Sequence, residues 1–343
     1  MRRLLNTLYI TTPEAYLALE GEDIQIQIKD KPNLRIPLLN LENIVCFTYQ
    51  GASPVLMGAC ADRGIGLSFL RPSGQFLARI QGNIKGNVLL RTRQYAIADE
   101  TPQSIKIARC FLIGKIYNQR KVILRALRDH GIILEKEPLI NSADLLKNCL
   151  KELENCQDIG QLMAFEGLAA KSYFDIFDDL ILQQKEDFHF SGRNRRPPLD
   201  RTNALLSFIY TLLVQDCIGA LETVGLDPYL GFLHQLRPGR PSLALDLMEE
   251  LRPLLADRLV LSFINMKQVK ASGFLVKESG AVLMDDETRK NVLTTWQKRK
   301  QELIMHPFTG EKIPLGLAPY VQALLLSRFI REDLDAYPPF LWR

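Results

Sequence analysis

Residues 227–253, DPYLGFLHQLRPGRPSLALDLMEELRP, gather an imidazole and two carboxylates in one short stretch. His234 lies in an apolar segment, and a tight Arg-Pro-Gly-Arg-Pro turn follows at 237–241. Asp246 and Glu249 then stand three residues apart, a spacing that puts both acids on one helix face. Leu243, Ala244, Leu245, Leu247, Met248 and Leu251 make that helix apolar nearly all round, the pattern of a buried helix. Buried carboxylates require partners, because an unpaired charge away from water costs roughly several kcal/mol. A divalent cation is one such partner, with His234 as its nitrogen ligand. Upstream, AFEGLAAKSYF (164–174) places Glu166 among small and apolar residues as a further inward-pointing acid. Each residue alone has an ordinary alternative: Glu166 paired with Lys171 or an arginine, Asp246 and Glu249 paired with Arg240 or Arg252, His234 as a satisfied core histidine. Taken together, Glu166, His234 and the helix acids Asp246 and Glu249 offer an oxygen-and-imidazole donor set without cysteine, which suits Mg²⁺ or Mn²⁺. The chemistry of such an ion is phosphodiester hydrolysis or transesterification, according to whether water or a DNA 3′-hydroxyl attacks.

Three basic clusters could present that site with a polyanion. Arg79, Lys85, Arg91 and Arg93 lie with Tyr95 near position 85; Arg289, Lys290, Lys298, Arg299 and Lys300 surround Trp296. The third is a Ser-Gly/Pro-Pro loop holding Arg193, Arg195, Arg196 and Arg201 against the single acid Asp200. Most surface charge only solubilises. The 191–203 loop is the best exception, because guanidinium forks bind phosphate oxygens bidentately and position a nucleic acid without reading its sequence.

The elements that must carry these residues divide along the chain. Residues 1–83 read as a small β domain: TLYITT, YLALEG, IQIQIK, LRIPLL, IVCFTYQ and IGLSFL are short strands between turn signals, with one helix expected over 53–62. Residues 84–100 read as a linker and first helix. Residues 101–343 form a larger, mainly α-helical catalytic domain, with helices over 104–127, 142–155, 161–174, 202–224, 242–252 and 286–304 and one hairpin at 274–284. The fold class is therefore α+β, a small N-terminal β domain followed by a larger mainly α-helical C-terminal domain. With 343 residues, 24% charged and 47% hydrophobic, the chain has the composition of a folded protein, and its net charge of +4 does not by itself argue for nucleic acid. The six cysteines have neither Cys-x-x-Cys pairing nor tight spacing, which argues against a zinc ribbon or redox motif and for buried thiols in a reducing cytoplasm. No apolar run approaches the roughly 18 residues of a membrane span, and no secretory leader is recognisable.

The sequence resembles the CRISPR-associated Cas-one family of adaptation endonucleases and integrases, and its subtype I-C members in particular. The resemblance rests on FEGLAAKSYF, on SGRNRRPPLDRTNALLSFIYTLL (191–213), on GLDPYLGFLHQLRPGRPSLALDLMEELRP (225–253) and on TTWQKRK (294–300), in order along the whole chain. It implies a two-domain layout and metal ligation by Glu166, His234 and Glu249, the last an Asp in some relatives. Asp246 matches a nearby acid and is carried as auxiliary. The family's reaction is insertion of short foreign DNA fragments into a CRISPR array. The resemblance further implies double-stranded DNA as substrate, a homodimer, and docking on a dimer of the small partner called Cas-two.

Two other readings stay open at this point. One is a non-catalytic nucleic-acid-binding scaffold whose acids form structural ion pairs. The other is a metal-dependent hydrolase of small phosphorylated substrates, which needs a closed pocket. No phosphate-cradling Gly-rich loop and no Gly-x-Ser-x-Gly elbow is present, and His130, His189 and His306 are left without a role.

Overall fold

The structure is a computed structural model that describes residues 6–82, 88–234 and 236–342. Lys85 and the expected linker at its start lie outside the described residues. The chain divides into two compact units, Met1–Lys85 with Met284–Glu302, and Gly86–Leu283 with Leu303–Arg343. An N-terminal β region is followed by a mostly helical one, as the sequence reading has it. The stretch 284–302 departs from that reading, since it groups with the β unit and not with the helices around it in sequence.

In the first unit, β1 (Thr7–Ile10), β5 (Asn43–Cys46) and β6 (Gly66–Leu70) run parallel, and β7 (Phe76–Ile80) adds antiparallel to β6. A second, antiparallel sheet joins β2 (Tyr16–Glu20), β3 (Asp23–Gln27) and β4 (Leu34–Pro37). The alternation in β3 buries Ile24 and Ile26 and leaves its polar neighbours half-buried, which fixes its register. The core runs through Leu17, Ile24, Ile44, Cys46, Leu56 and Leu67. Helix α1 (Pro54–Arg63) is capped at its start by Ser53, whose Oγ accepts from Leu56 N at 3.2 Å.

Helices α2 (Val88–Asp99), α3 (Thr101–His130), α4 (Lys136–Leu153), α5 (Ile159–Asp175), α6 (Arg201–Thr223), α7 (Ser242–Arg252), α8 (Arg258–Asn265) and α10 (Ala318–Ile330) build the second unit. The expected hairpin forms from β8 (Phe274–Val276) and β9 (Val282–Met284). Among the described residues only α6 is long and apolar enough to cross a membrane, and 67% of its most apolar stretch is buried inside the fold, as in a core helix. Helix α3 shows the stripe that organises the unit: Ile105, Ala108, Leu112, Lys115, Ile116, Gln119, Val122 and Ile123 recur at helical spacing and are all buried. A lysine on such a stripe demands acids opposite it. Helix α7 packs against α3, α6 and α10 and is buried on nearly every side, Asp246, Glu249 and Glu250 included.

Helix α9 (Asp286–Gln301) explains why 284–302 joins the β unit. Two of its basic residues are turned inward: Arg289 is 1% exposed, bonded to Asp286 at 2.7 Å, and stacked over Phe47 at 5.7 Å, while Lys300 is 3% exposed. Trp296 is fully buried. The cluster expected to offer a positive surface is thus in part a packing element of the first unit, with Lys290 and Lys298 left exposed. Trp296→Ala should cost about 3–5 kcal/mol, as truncation of a buried aromatic does. A urea midpoint unchanged from wild type would show that α9 does not hold the unit together.

Candidate active site

Asp246 organises the loop in front of α7. Its Oδ2 accepts from Phe232 N at 2.7 Å and Leu233 N at 3.0 Å, and its Oδ1 accepts from His234 N at 3.0 Å. The same Oδ1 lies 2.6 Å from His234 Nδ1. A carboxylate there fixes the imidazole by its Nδ1 edge. The loop approaches this closely because residue 231 is glycine: a Cβ on Gly231 would sit 2.7 Å from Asp246 Oδ2. From the other end, Gln94 on α2 donates to Asp227 O at 2.9 Å and Leu230 O at 3.0 Å, and accepts from Asp227 N at 2.9 Å.

One turn further along α7, Glu249 meets Lys115. The ammonium of Lys115 lies 2.8 Å from Glu249 Oε2 and also bonds Glu166 Oε1, so carboxylates from α5 and α7 converge on one nitrogen supplied by α3. Arg252 Nη1 reaches the other Glu249 oxygen at 3.1 Å. Burial alone would raise the Glu249 carboxyl, but Lys115, Arg252 and His234 outweigh it and hold the group down at about 2. Among the described residues no three His, Cys, Asp or Glu side chains are gathered as ready ligands, because the lysine stands between the two acids.

Arg252 is itself held from behind. Its guanidinium lies 4.2 Å from the centre of the Tyr210 ring, and the guanidinium of Arg193 lies 5.1 Å from that same centre. The Tyr210 hydroxyl bonds Asp257, the last residue of a π-helical turn (Pro253–Asp257) that continues α7. Burial pushes the Asp257 carboxyl up, and the nearby Arg252 and the Tyr210 hydroxyl oppose that rise.

Arg193 is therefore not where a phosphate-binding role needs it. Its Nη1 donates to Asn194 O at 2.7 Å and bonds Asn203 Oδ1, its Nη2 donates to Ser207 Oγ at 3.2 Å, and burial holds its pKa down. It fastens the 191–200 loop to α6. Arg195 and Arg196 are exposed. They lie close enough to Arg237 and Arg240 for all three to depress Arg240, whose burial depresses it first. Gly239, with φ of +73°, makes the turn that sets Arg237 and Arg240 side by side, a conformation glycine adopts without strain. Residues of two loops far apart in sequence, Arg195 and Arg196 in one and Arg237 in the other, thus act together on Arg240.

Of the sequence-chosen residues, Glu166 and Glu249 come together on Lys115, and His234 and Asp246 come together one turn away. Glu166 pairs with Lys115 and not with Lys171, which bonds Asp175 at 2.5 Å. Three members of the cluster around position 85 make internal bonds: Arg91 Nε donates to Gly225 O at 3.1 Å, Arg93 pairs with Glu332 at 2.6 Å, and Tyr95 donates to Asp227 at 2.7 Å. His306 is buried and 3.1 Å from Gln322 Oε1. The sequence reading missed Lys115, Gln94 and the nearness of Arg237 and Arg240 to the loop arginines. Only Lys115 left a trace, as a charge on an apolar stripe.

Because the folded state holds the Glu249 proton more weakly than the unfolded chain, its ion pairs contribute fully above the ordinary value of 4.5 and are lost as pH falls through about 2. Glu249→Gln should be less stable than wild type at pH 7 by on the order of 3 kcal/mol. Denaturation curves taken at successively lower pH should show this gap closing. A gap that stays constant would mean that the charge on Glu249 is not what its partners hold.

A family model described as CRISPR associated protein Cas1 matches residues 8–298. The chain is 50% identical to a CRISPR-associated endonuclease Cas1 of Chlorobaculum tepidum over 343 residues, covering 100% of both chains. It is also 50% identical to one of Rhodospirillum rubrum over 347 residues, again covering 100% of both. Solved structures of the same fold include a CAS1 protein from Thermotoga maritima (TM-score 0.83, 21% identity, 97% of this chain and 99% of that one). A casposase bound to integration product is similar as well (TM-score 0.84, 19% identity, 98% and 93%). So is a chain of a Cas6-RT-Cas1–Cas2 complex (TM-score 0.82, 23% identity), of which this chain covers 36% and is itself covered to 99%. With full-length relatives at half identity and a family model that spans the basic loop, the His234 loop and the Lys115-centred acids, the chain belongs to the Cas1 family of CRISPR-associated proteins.

Proposed function

We propose that this protein is a divalent-metal-dependent DNA endonuclease and integrase that inserts short foreign DNA fragments into a CRISPR array. The observation that carries the reading is the convergence of Glu166 and Glu249 on one cationic nitrogen, with His234 fixed by Asp246 one turn away. The relatives named as CRISPR-associated endonucleases and the casposase bound to integration product support it. The neighbour from a Cas1–Cas2 complex supports a dimer of the small Cas-two protein as partner, and a DNA complex of a Cas1 protein (TM-score 0.59) supports double-stranded DNA as substrate. A homodimer of subtype I-C type, working in the cytoplasm, completes the proposal. The six free cysteines, five of them buried, suit that reducing compartment.

The donor set fits a hard divalent ion. Two carboxylates already share a cation at the place where an ion would sit, and the imidazole adds a nitrogen. Glu166, His234 and Glu249 would hold Mg²⁺ or Mn²⁺, which when bound polarises the phosphodiester and stabilises the leaving oxygen. The remaining work falls to the chain's own side chains. Asp246 fixes the tautomer and plane of His234. Arg252, backed by Tyr210, anchors Glu249. Arg195, Arg196, Arg237 and Arg240 receive phosphates, and so position DNA without selecting sequence.

A non-catalytic nucleic-acid-binding scaffold is favoured by one observation, that Glu166 and Glu249 are ion-paired. The readings separate on mutation. Glu249→Ala and His234→Ala should abolish cleavage and integration of DNA while the proteins stay folded and bind DNA. Asp246→Asn, which keeps the shape and loses the charge, should cost about 10–100-fold in metal affinity or activity. Wild-type rates in Glu249→Ala would leave the scaffold. Binding is read separately: replacing Arg195, Arg196, Arg237 and Arg240 with alanine should flatten the slope of log K against log salt, by up to about 0.9 for each phosphate that is no longer neutralised. Arg193→Ala should instead loosen the loop and leave that slope nearly unchanged. The same flattening in both variants would place Arg193 among the phosphate-binding residues.

A further inference from the structure

We propose that Lys115 is a built-in counter-ion which a divalent ion must displace and which DNA phosphate then receives, so that ion and DNA bind cooperatively. The inference rests on the metal-dependent reading above and concerns a residue outside its ligand set. Lys115 belongs to the buried stripe of α3, its side chain is 4% exposed, and its ammonium touches both acids that would ligate the ion. Glu166 and Glu249 both reach the same ammonium, so the two carboxylates converge on a single cation. In the structure the ammonium supplies that cation, and the four charges of Glu166, Glu249, Lys115 and Arg252 sum to zero. A divalent ion entering this set without an anion leaves two uncompensated positive charges, which is unfavourable in a partly buried site.

A phosphate oxygen reverses this. It takes up the displaced ammonium and offsets the added charge. Glu166, with 22% of its side chain exposed, marks the open side of the seat. A lysine suits the exchange better than an arginine, because a compact ammonium on a flexible four-carbon stem moves between partners without a planar geometry to satisfy. By linkage, DNA must tighten the ion by the same factor as the ion tightens DNA.

The test is Mn²⁺ titration of the full chain, followed by loss of the free-ion electron paramagnetic resonance signal. It is run with and without a DNA duplex, and ion bound by DNA alone is subtracted. Wild type should bind Mn²⁺ more tightly with DNA, within the about 5–150-fold range of coupled binding. Lys115→Met should bind Mn²⁺ about tenfold or more tightly than wild type without DNA, and should gain less from DNA. Lys115→Met binding no better than wild type, or wild type indifferent to DNA, overturns the proposal. Glu249→Ala tells this failure from failure of the metal reading: if it binds Mn²⁺ as wild type does, or wild type binds none, the ligand set itself is wrong. Should Lys115→Met fold poorly, Lys115→Gln is used, and the Mn²⁺-induced rise in Tm is the second readout. That rise should exceed the wild-type rise, because the ion relieves two carboxylates left facing each other. An equal or smaller rise overturns the proposal.

Discussion

The second unit is arranged around the compensation of buried charge at one nitrogen. Lys115 on α3, Glu166 on α5 and Glu249 on α7 come from three helices, and none of these charges would be tolerated in the interior alone. Their mutual pairing fixes the approach of α5 and α7 to α3. Hydrophobic packing of Leu112, Ile116 and Leu247 would allow sliding that a three-centre ion pair does not. The same arrangement leaves two carboxylates facing each other across a position that calls for a cation. Helix packing and the candidate site therefore draw on the same interaction.

The surrounding layers hold that ion pair at a fixed place. Tyr210 contacts both Arg252 and Arg193, and so ties the acid end of α7 to the loop that carries Arg195 and Arg196. Asp200 caps α6, accepting from Asn203 N at 2.7 Å, and also accepts from Asn194 Nδ2 at 3.0 Å. The basic loop is thus anchored to the helix behind the site. Gln94, Gly231 and Asp246 do the same for the His234 loop. Loops positioned by buried polar bonds present their arginines and imidazole with little conformational freedom, which lowers the cost of binding an extended polyanion.

Much of this was legible in the sequence, and what was not has physical reasons. Period-two alternation in the first eighty residues and helical periodicity afterwards give the two regions, because each pattern reports a single buried face. Asp246 and Glu249 share a face by spacing alone. Periodicity says nothing of partners distant in sequence, however. That α9 belongs with the strands depends on Arg289 reaching Phe47, a pairing invisible in a helix that reads as charged and exposed. Arg193 looks like Arg195 and Arg196 among the loop arginines, and only the three-dimensional placement of Asn203, Ser207 and Tyr210 turns it inward. The joining of 193–196 with 237–240 is equally a tertiary fact.

The neighbouring acids Glu249 and Glu250 show how far environment, and not residue type, decides the role. Glu249 faces Lys115 and Arg252 and is held down at about 2. Glu250 packs against Gly114 of α3 and accepts from Phe340 N at 2.7 Å, from Gln322 Nε2 at 3.0 Å, and from the Tyr337 hydroxyl. Among the described residues no cation pairs with it, and burial pushes its carboxyl up to about 7 even though those three donors oppose the rise. Asn118 completes that side, donating to Glu250 O and Phe340 O at 2.7 Å each and accepting from Trp342 N at 3.0 Å. One glutamate is thus kept anionic by the charges around it. Its neighbour is held by neutral donors that fasten the C-terminal segment to α7. Divergent environments on adjacent residues are how one helix carries both an ionised carboxylate and a structural anchor beside it.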